Sequence, residues 1–469
     1  MKHHMKRVLR GILLAAAVGL LMSGCDLHSD DDLYHLPELP TEFKNLTSEI
    51  NEVLSQGAEY AAPLGGENIQ NIQLQDMDGD GAVDSAIVFF RMSGEEESLK
   101  ICIYHQLGET YELEAVIEGS GTGINYVDYV DLDGVPGKEV VVSWQLSEQI
   151  HFLAAYSVSS EQVVELLQTN YSVFKLFDMD RDGDDEILIL NTKPEGGGQA
   201  ELYDFRDGLM ELDSTAALSA GISSIQEDNA RKGTLEDHVP ALFVTSDLPA
   251  GTGETGGQLT DILVWEDRPG RSKSLRNITL DPVSNVSVET RSLYTGVRSA
   301  DIDKDGIMEV PASEPLPEFG QSTAAVNFWL NRWYRYDMDG VRSYVRTTYY
   351  NKQDGWYLDL PEEWDGRLVL SRSDTAGGGE RAVVFSFWDR ESGQEEPEPF
   401  LEVYRLSGSN RTSRAVLPGR FRLGDSGEDT PTVIYAAELL NGGGDCGLDE
   451  DGVKDRFHVI QTDWDSFDQ

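Results

Sequence analysis

The chain has 469 residues, 84 Asp plus Glu against 37 Lys plus Arg, a formal net charge of −47 at pH 7, and 39% hydrophobic residues. That length accommodates two or three domains, and the apolar content suffices for a sizeable core, which excludes a globally disordered chain. With so acidic a balance and no basic stripe, phosphate-tracking nucleic-acid binding is excluded as well.

In chain order, the first segment is Lys2, Lys6, Arg7 and Arg10, then the apolar run Ile12 to Leu21, then Met22-Ser23-Gly24-Cys25. The apolar run is too short for an ordinary spanning helix. The arrangement resembles a bacterial lipoprotein signal peptide with its lipobox, Met22 standing where Leu is more usual. The resemblance implies removal of residues 1–24 and lipidation of Cys25. It also implies export to the outer face of the cytoplasmic membrane or the cell surface, where several acyl chains form a membrane anchor. Residues 25–57 read as an acidic tether and a short helix. Thr41 is the expected N-cap, Phe43, Leu46, Ile50 and Val53 fall at helical spacing, and Gly57 ends it.

An acidic loop then recurs, each time feeding an apolar strand. Asp76, Asp78, Asp80 and Asp84 precede Ser85–Phe90; Asp178, Asp180, Asp182 and Glu186 precede Ile187–Leu190; Asp301, Asp303, Asp305 and Glu309 precede Val310. A damaged copy has Asp131, Asp133 and Glu139 before Val140–Val142, with Val135 and Pro136 at its fifth and sixth positions. Carboxylates at positions 1, 3 and 5, a Gly at 6 and an acid at 9 converge on one point, the oxygen-rich surroundings that Ca²⁺ requires. A solvated acidic turn without metal is the plainer reading, and it weighs most at the 131 copy. An EF-hand would place its closing Glu at position 12, where Ile87, Ile189 and Ala312 stand.

Gly-Gln pairs mark strands in the later units: Gly198-Gln199, Gly257-Gln258 and Gly320-Gln321. The second pair has no DxDxDG ahead of it, so an eroded loop is expected near Thr234–Val239. Five units emerge, each of about 50–65 residues and four strands, the pattern of propeller blades. In the first unit the strands are expected at 71–75, 85–91, 98–105 and 110–117. The D-x-D-x-D-G-x-x-[DE] string followed by an apolar strand resembles the FG-GAP/VCBS repeat of integrin-α-like β-propellers. The resemblance implies a mainly β fold over residues 58–347, with about five to seven four-stranded blades and structural Ca²⁺ in the matching loops. The family's Phe-Gly and Gly-Ala-Pro strings are missing.

Asp337-Met338-Asp339-Gly340 lacks acids at positions 5 and 9 and reads as a hairpin turn. The neighbouring aromatics Phe328, Trp329, Trp333, Tyr334 and Tyr336 suit either a core or a sugar or peptide platform. Residues 348–469 carry no acidic repeat and predict an α+β domain, closed by a helix over about 449–461 with Val453, Phe457 and Ile460 on one face. Cys102 and Cys446 are either two lone thiols or a disulfide. Gly251-Thr252-Gly253-Glu254-Thr255-Gly256 matches GxGxxG but leads into a strand, so the helix dipole that binds a dinucleotide is missing. With no catalytic string present, no catalytic residue is assigned, and the expected function is a Ca²⁺-stabilised binding module for a protein or glycan. The alternative is an envelope enzyme acting on polysaccharide.

Overall fold

The computed structural model describes residues 43–94, 98–159, 162–249, 256–316, 328–373, 379–389, 393–427, 431–440 and 446–460. The lipobox, Cys25, Thr41, Gly320-Gln321 and most of the GxGxxG string lie outside them. The chain divides into two compact units. One holds the described residues up to Ala62, with Gln70–Gln75 and Val83–Ser120; the other holds Pro63–Ile69, Asp76–Ala82 and everything from Gly121. Both are built mainly of antiparallel β-sheet.

In the first unit, α1 (Lys44–Ser55) covers the first sheet with Leu46 and Ile50. That sheet contains β1 (Ala58–Tyr60), β2 (Ile72–Gln75), β3 (Ser85–Met92), β4 (Leu99–Leu107) and β5 (Thr110–Gly119). β1 and β2 share one edge of β3, and β4 and β5 follow on the other side. The four strands expected in this unit are all present, each within about two residues of its expected ends.

In the second unit the sheets follow one another in chain order. β6 (Gly123–Val130), β7 (Glu139–Ser147), β8 (Ile150–Ser159) and β9 (Gln162–Asn170) form one. β10 (Val173–Phe177), β11 (Glu186–Thr192), β12 (Gly198–Arg206) and β13 (Leu209–Leu218) form the next. β14 (Ile225–Thr234), β15 (Pro240–Leu248), β16 (Gly257–Glu266) and β17 (Ser274–Asn277) form a third. Then come β18 (Val310–Pro315), β19 (Trp329–Tyr336), β20 (Arg342–Asn351) and β21 (Trp356–Asp359).

The last sheet contains β22 (Leu368–Ser373), β23 (Glu380–Phe387), β24 (Glu398–Ser407), β25 (Arg420–Asp425) and β26 (Val433–Leu439), with the short α2 (Arg411–Ala415) beside it. The helix α3 (Glu450–Arg456) is capped by Asp449, whose side chain accepts the Gly452 amide. It ends five residues before its expected limit of 461. β27 (Phe457–Val459) takes over and pairs with the edge of β21, with Phe457 against Trp356 and Tyr435. The division expected at 347/348 falls inside β20.

The strands leaving the 131 and 178 loops are apolar at consecutive positions because both their faces are covered, whereas β18, after the 301 loop, buries only Val310 and Pro311. In β11, Ile187 and Ile189 enter a core shared with β6–β9, while Leu188 and Leu190 enter one shared with β14–β17. β15 repeats this, with Leu242 and Val244 on one side and Ala241 and Phe243 facing β18 and β19 on the other. Alternation of side chains along a strand thus serves two neighbouring sheets. The β18–β21 sheet packs in turn on β22–β26 through Tyr349, Trp356, Trp364, Phe385 and Phe400.

Candidate metal centres

Three loops of the second unit share one local construction. The position-1 carboxylate accepts the amide of position 4: Gly134 to Asp131 at 2.9 Å, Arg181 to Asp178 at 2.6 Å, and Gly79 to Asp76 at 2.8 Å. In the 301 loop, Asp301 instead accepts Asp305 at 3.0 Å and Gly306 at 2.8 Å. Position 4 is left-handed in all four, with φ of 73° at Gly79, 68° at Gly134, 67° at Arg181 and 62° at Lys304. Besides the glycine of position 6 in three loops, position 4 is thus a second left-handed residue, one that Arg181 and Lys304 do not signal by residue type.

Position 9 holds a buried glutamate in three loops. Glu139, Glu186 and Glu309 each accept the position-2 amide, from Leu132 at 2.9 Å, Met179 at 2.6 Å and Ile302 at 3.0 Å. The remaining oxygens converge. Asp178, Asp180, Asp182 and Glu186 each offer an oxygen within 4.8 Å of the others, and so do Asp131, Asp133 and Glu139, Asp301, Asp303 and Glu309, and Asp76, Asp78 and Asp80. Asp84 belongs to the other compact unit, where it faces His105 at 3.5 Å. Asp305 stands outside its expected group and pairs with Arg335 at 3.1 Å.

Burial without an ion pair marks the 178 loop. Glu186, 3% exposed, is pushed up to about 9 by burial. Burial also raises Asp180 to about 6 and Asp184 to about 7, the contact with Asp182 adding to both. Asp182 is held low by its hydrogen bond with Asp184. Burial raises Glu139 too, and Glu309 to about 8. Among the described residues the 301 loop has ion pairs, from Arg335 and Arg346 to Asp303, Asp305 and Glu309, and Asp178, Asp180, Asp182 and Glu186 have none. An all-oxygen donor set of uncompensated carboxylates fits a hard divalent cation such as Ca²⁺.

The loops are also tied to each other. The position-8 amide donates to the preceding loop: Lys138 to the Met77 carbonyl at 2.9 Å, Asp185 to Asp131 at 2.7 Å, and Met308 to Thr234 at 2.9 Å. The eroded copy lies where it was expected, as a 3-10 turn over Glu236–His238 between β14 and β15. Pro240, two residues beyond it, has no amide to give, and Arg181 donates to the His238 carbonyl. Asp337-Met338-Asp339-Gly340 is the turn between β19 and β20, with Asp339 held by Arg268 and Arg271.

Two concave features accompany the loops. A depression of about 460 Å³ is lined by Asp180, Arg181, Glu236, Asp237, Asp267 and Asp339, from several loops. A cavity of about 460 Å³ lies between β19–β20 and the segment around Trp364, lined by Leu330, Arg332, Tyr334, Tyr344, Glu362 and Asp365. The aromatic group is therefore divided. Trp333 and Tyr336 are core, with the Trp333 indole donating to Thr348, while Tyr334 faces the cavity. Cys102 and Cys446 are free thiols.

No family model matches the chain, and no curated protein does. Among solved structures, a putative 6-phosphogluconolactonase from Bacteroides fragilis is 10% identical, with a TM-score of 0.24, over 72% of this chain and 92% of that one. The periplasmic gluconolactonase of Pseudomonas aeruginosa is 11% identical, with a TM-score of 0.26, over 77% and 97%. The tail fibre of Staphylococcus aureus phage P68 is 11% identical, with a TM-score of 0.15, over 78% and 97%. At such scores these likenesses decide neither the fold nor an activity.

Proposed function

We propose that this chain is a cell-surface lipoprotein anchored through Cys25, whose sheets are blades of a Ca²⁺-stabilised β-propeller of FG-GAP/VCBS type, and that it binds a protein or glycan. The observation that carries the reading is one loop design repeated in successive sheets. Each copy has a left-handed fourth residue and converging carboxylates, and a buried Glu closes three of them. Ca²⁺ would neutralise the acids of the loops it occupies. Residues 348–469 add a five-stranded sheet with α2 and α3, read as an α+β domain. In the Tyr334–Tyr344 cavity, aromatic faces beside Arg332 and Asp365 suit a sugar ring or a peptide.

Melting the full chain in excess Ca²⁺ and in chelator tests the metal, because an ion bound only by the native state raises the midpoint. An unchanged midpoint with no metal retained overturns it. Binding to an immobilised glycan and peptide panel, lost in Tyr344→Ala, tests the module. Turnover of wall polysaccharide would replace it with the enzymatic reading.

A further inference from the structure

The loops are not electrostatically alike. In the 301 loop the Arg335 guanidinium, reaching across from β19, lies 3.4 Å from Asp303, 3.1 Å from Asp305 and 3.6 Å from Glu309. Arg346, from β20, adds a contact of 3.5 Å to Asp303 while pairing with Asp359 at 2.7 Å. Glu309 is fully buried, and its Oε1, the oxygen nearest Arg335, has no hydrogen-bond partner. Asp303 Oδ1 is buried and likewise without one. The 178 loop has the same sequence design, but among the described residues no arginine or lysine makes an ion pair with its acids, its own Arg181 being turned to the His238 carbonyl.

We propose that Arg335 is the resident cation of the 301 loop, so that this loop stays free of Ca²⁺ while the 178 loop takes it. A guanidinium is permanently charged and offers several donors, and it draws Asp305 out of the converging group. A divalent ion would have to expel that charge from among three carboxylates. The inference rests on the calcium reading of the loops, but its test separates the two.

The experiment counts Ca²⁺ on the full chain by equilibrium dialysis and native mass spectrometry. Arg335→Gln is expected to carry one ion more than the wild type, Arg335→Lys none more, and Arg335→Gln with Glu309→Gln to return to the wild-type count. Equal counts in the wild type and Arg335→Gln overturn the proposal. If those counts are above zero, calcium at the other loops survives; if they are zero, both readings fall. A gain in Arg335→Lys also overturns it, since charge would then not be the determinant. Should Arg335→Gln fold only when Ca²⁺ is supplied, the ion has replaced the guanidinium and the proposal stands. Failure to fold at any Ca²⁺ concentration sinks it.

Discussion

Glu186 shows how one side chain can make stability depend on pH and metal together. Its carboxyl is raised from 4.5 to about 9 by burial, so the native state holds its proton more tightly than the unfolded chain. In chelator, stability is therefore expected to fall as pH rises from 4.5 toward about 9. Midpoints in chelator at about pH 5 and about pH 8 measure this, and Glu186→Gln should flatten the slope. Ca²⁺, which stabilises the ionised form, should flatten it in the wild type and do little for the variant. Glu266 has the opposite sign. It is 1% exposed, and its hydrogen bonds with Arg268 and then Arg276 lower its carboxyl to about 2. That contribution is complete above 4.5 and is lost as pH falls toward about 2. Glu266→Gln should cost roughly 2 kcal/mol by denaturant titration near neutral pH and weaken the acid limb of the curve. Lys304 is exposed and left-handed at φ 62°, so Lys304→Gly should stabilise by about 0.5–1 kcal/mol. Asp178 and its partners could be named from spacing. Arg335 could not, because only the pairing of β18 with β19 brings it to Glu309.

At the scale of elements, the 131, 178 and 301 loops each serve both their own hairpin and the loop before it. Gly79 illustrates this, since a Cβ there would stand 2.6 Å from the Gly137 amide nitrogen and 2.9 Å from the Pro136 carbonyl carbon. Gly79→Ala should part the 76 loop from the 131 loop and destabilise by about 2 kcal/mol, measured as a lowered denaturation midpoint. The strands beside these loops were legible because covering both faces of a strand demands an unbroken apolar run, as in Ile187–Leu190. The end of the chain was less so. Val453, Phe457 and Ile460 fit a helical stripe, yet the open edge of β21 offered backbone hydrogen bonds, and these converted Phe457–Val459 into a strand. The strand expected before the 301 loop survives only as the Ala300–Glu309 bridge. Nothing in its composition marks that loss.

For the whole molecule, a net charge of −47 has two consequences. Without bound cations the acids repel one another, so in chelator the melting point should rise as NaCl is raised to roughly 0.5 M, where charges are screened within a few ångströms. With Ca²⁺ present the same salt should matter less. If Cys25 bears the anchor, Cys25→Ala in the expressed chain should move the protein from the membrane fraction to the soluble one. The sequence by itself determined the repeat, the acids of each loop and the strands that follow, because loop closure and strand burial are local demands that residue type and spacing record. Only the tertiary structure decided which loops keep acids without an ion pair. It also decided where an arginine stands among the carboxylates. Those outcomes depend on side chains brought together from distant strands, and no local pattern encodes such meetings.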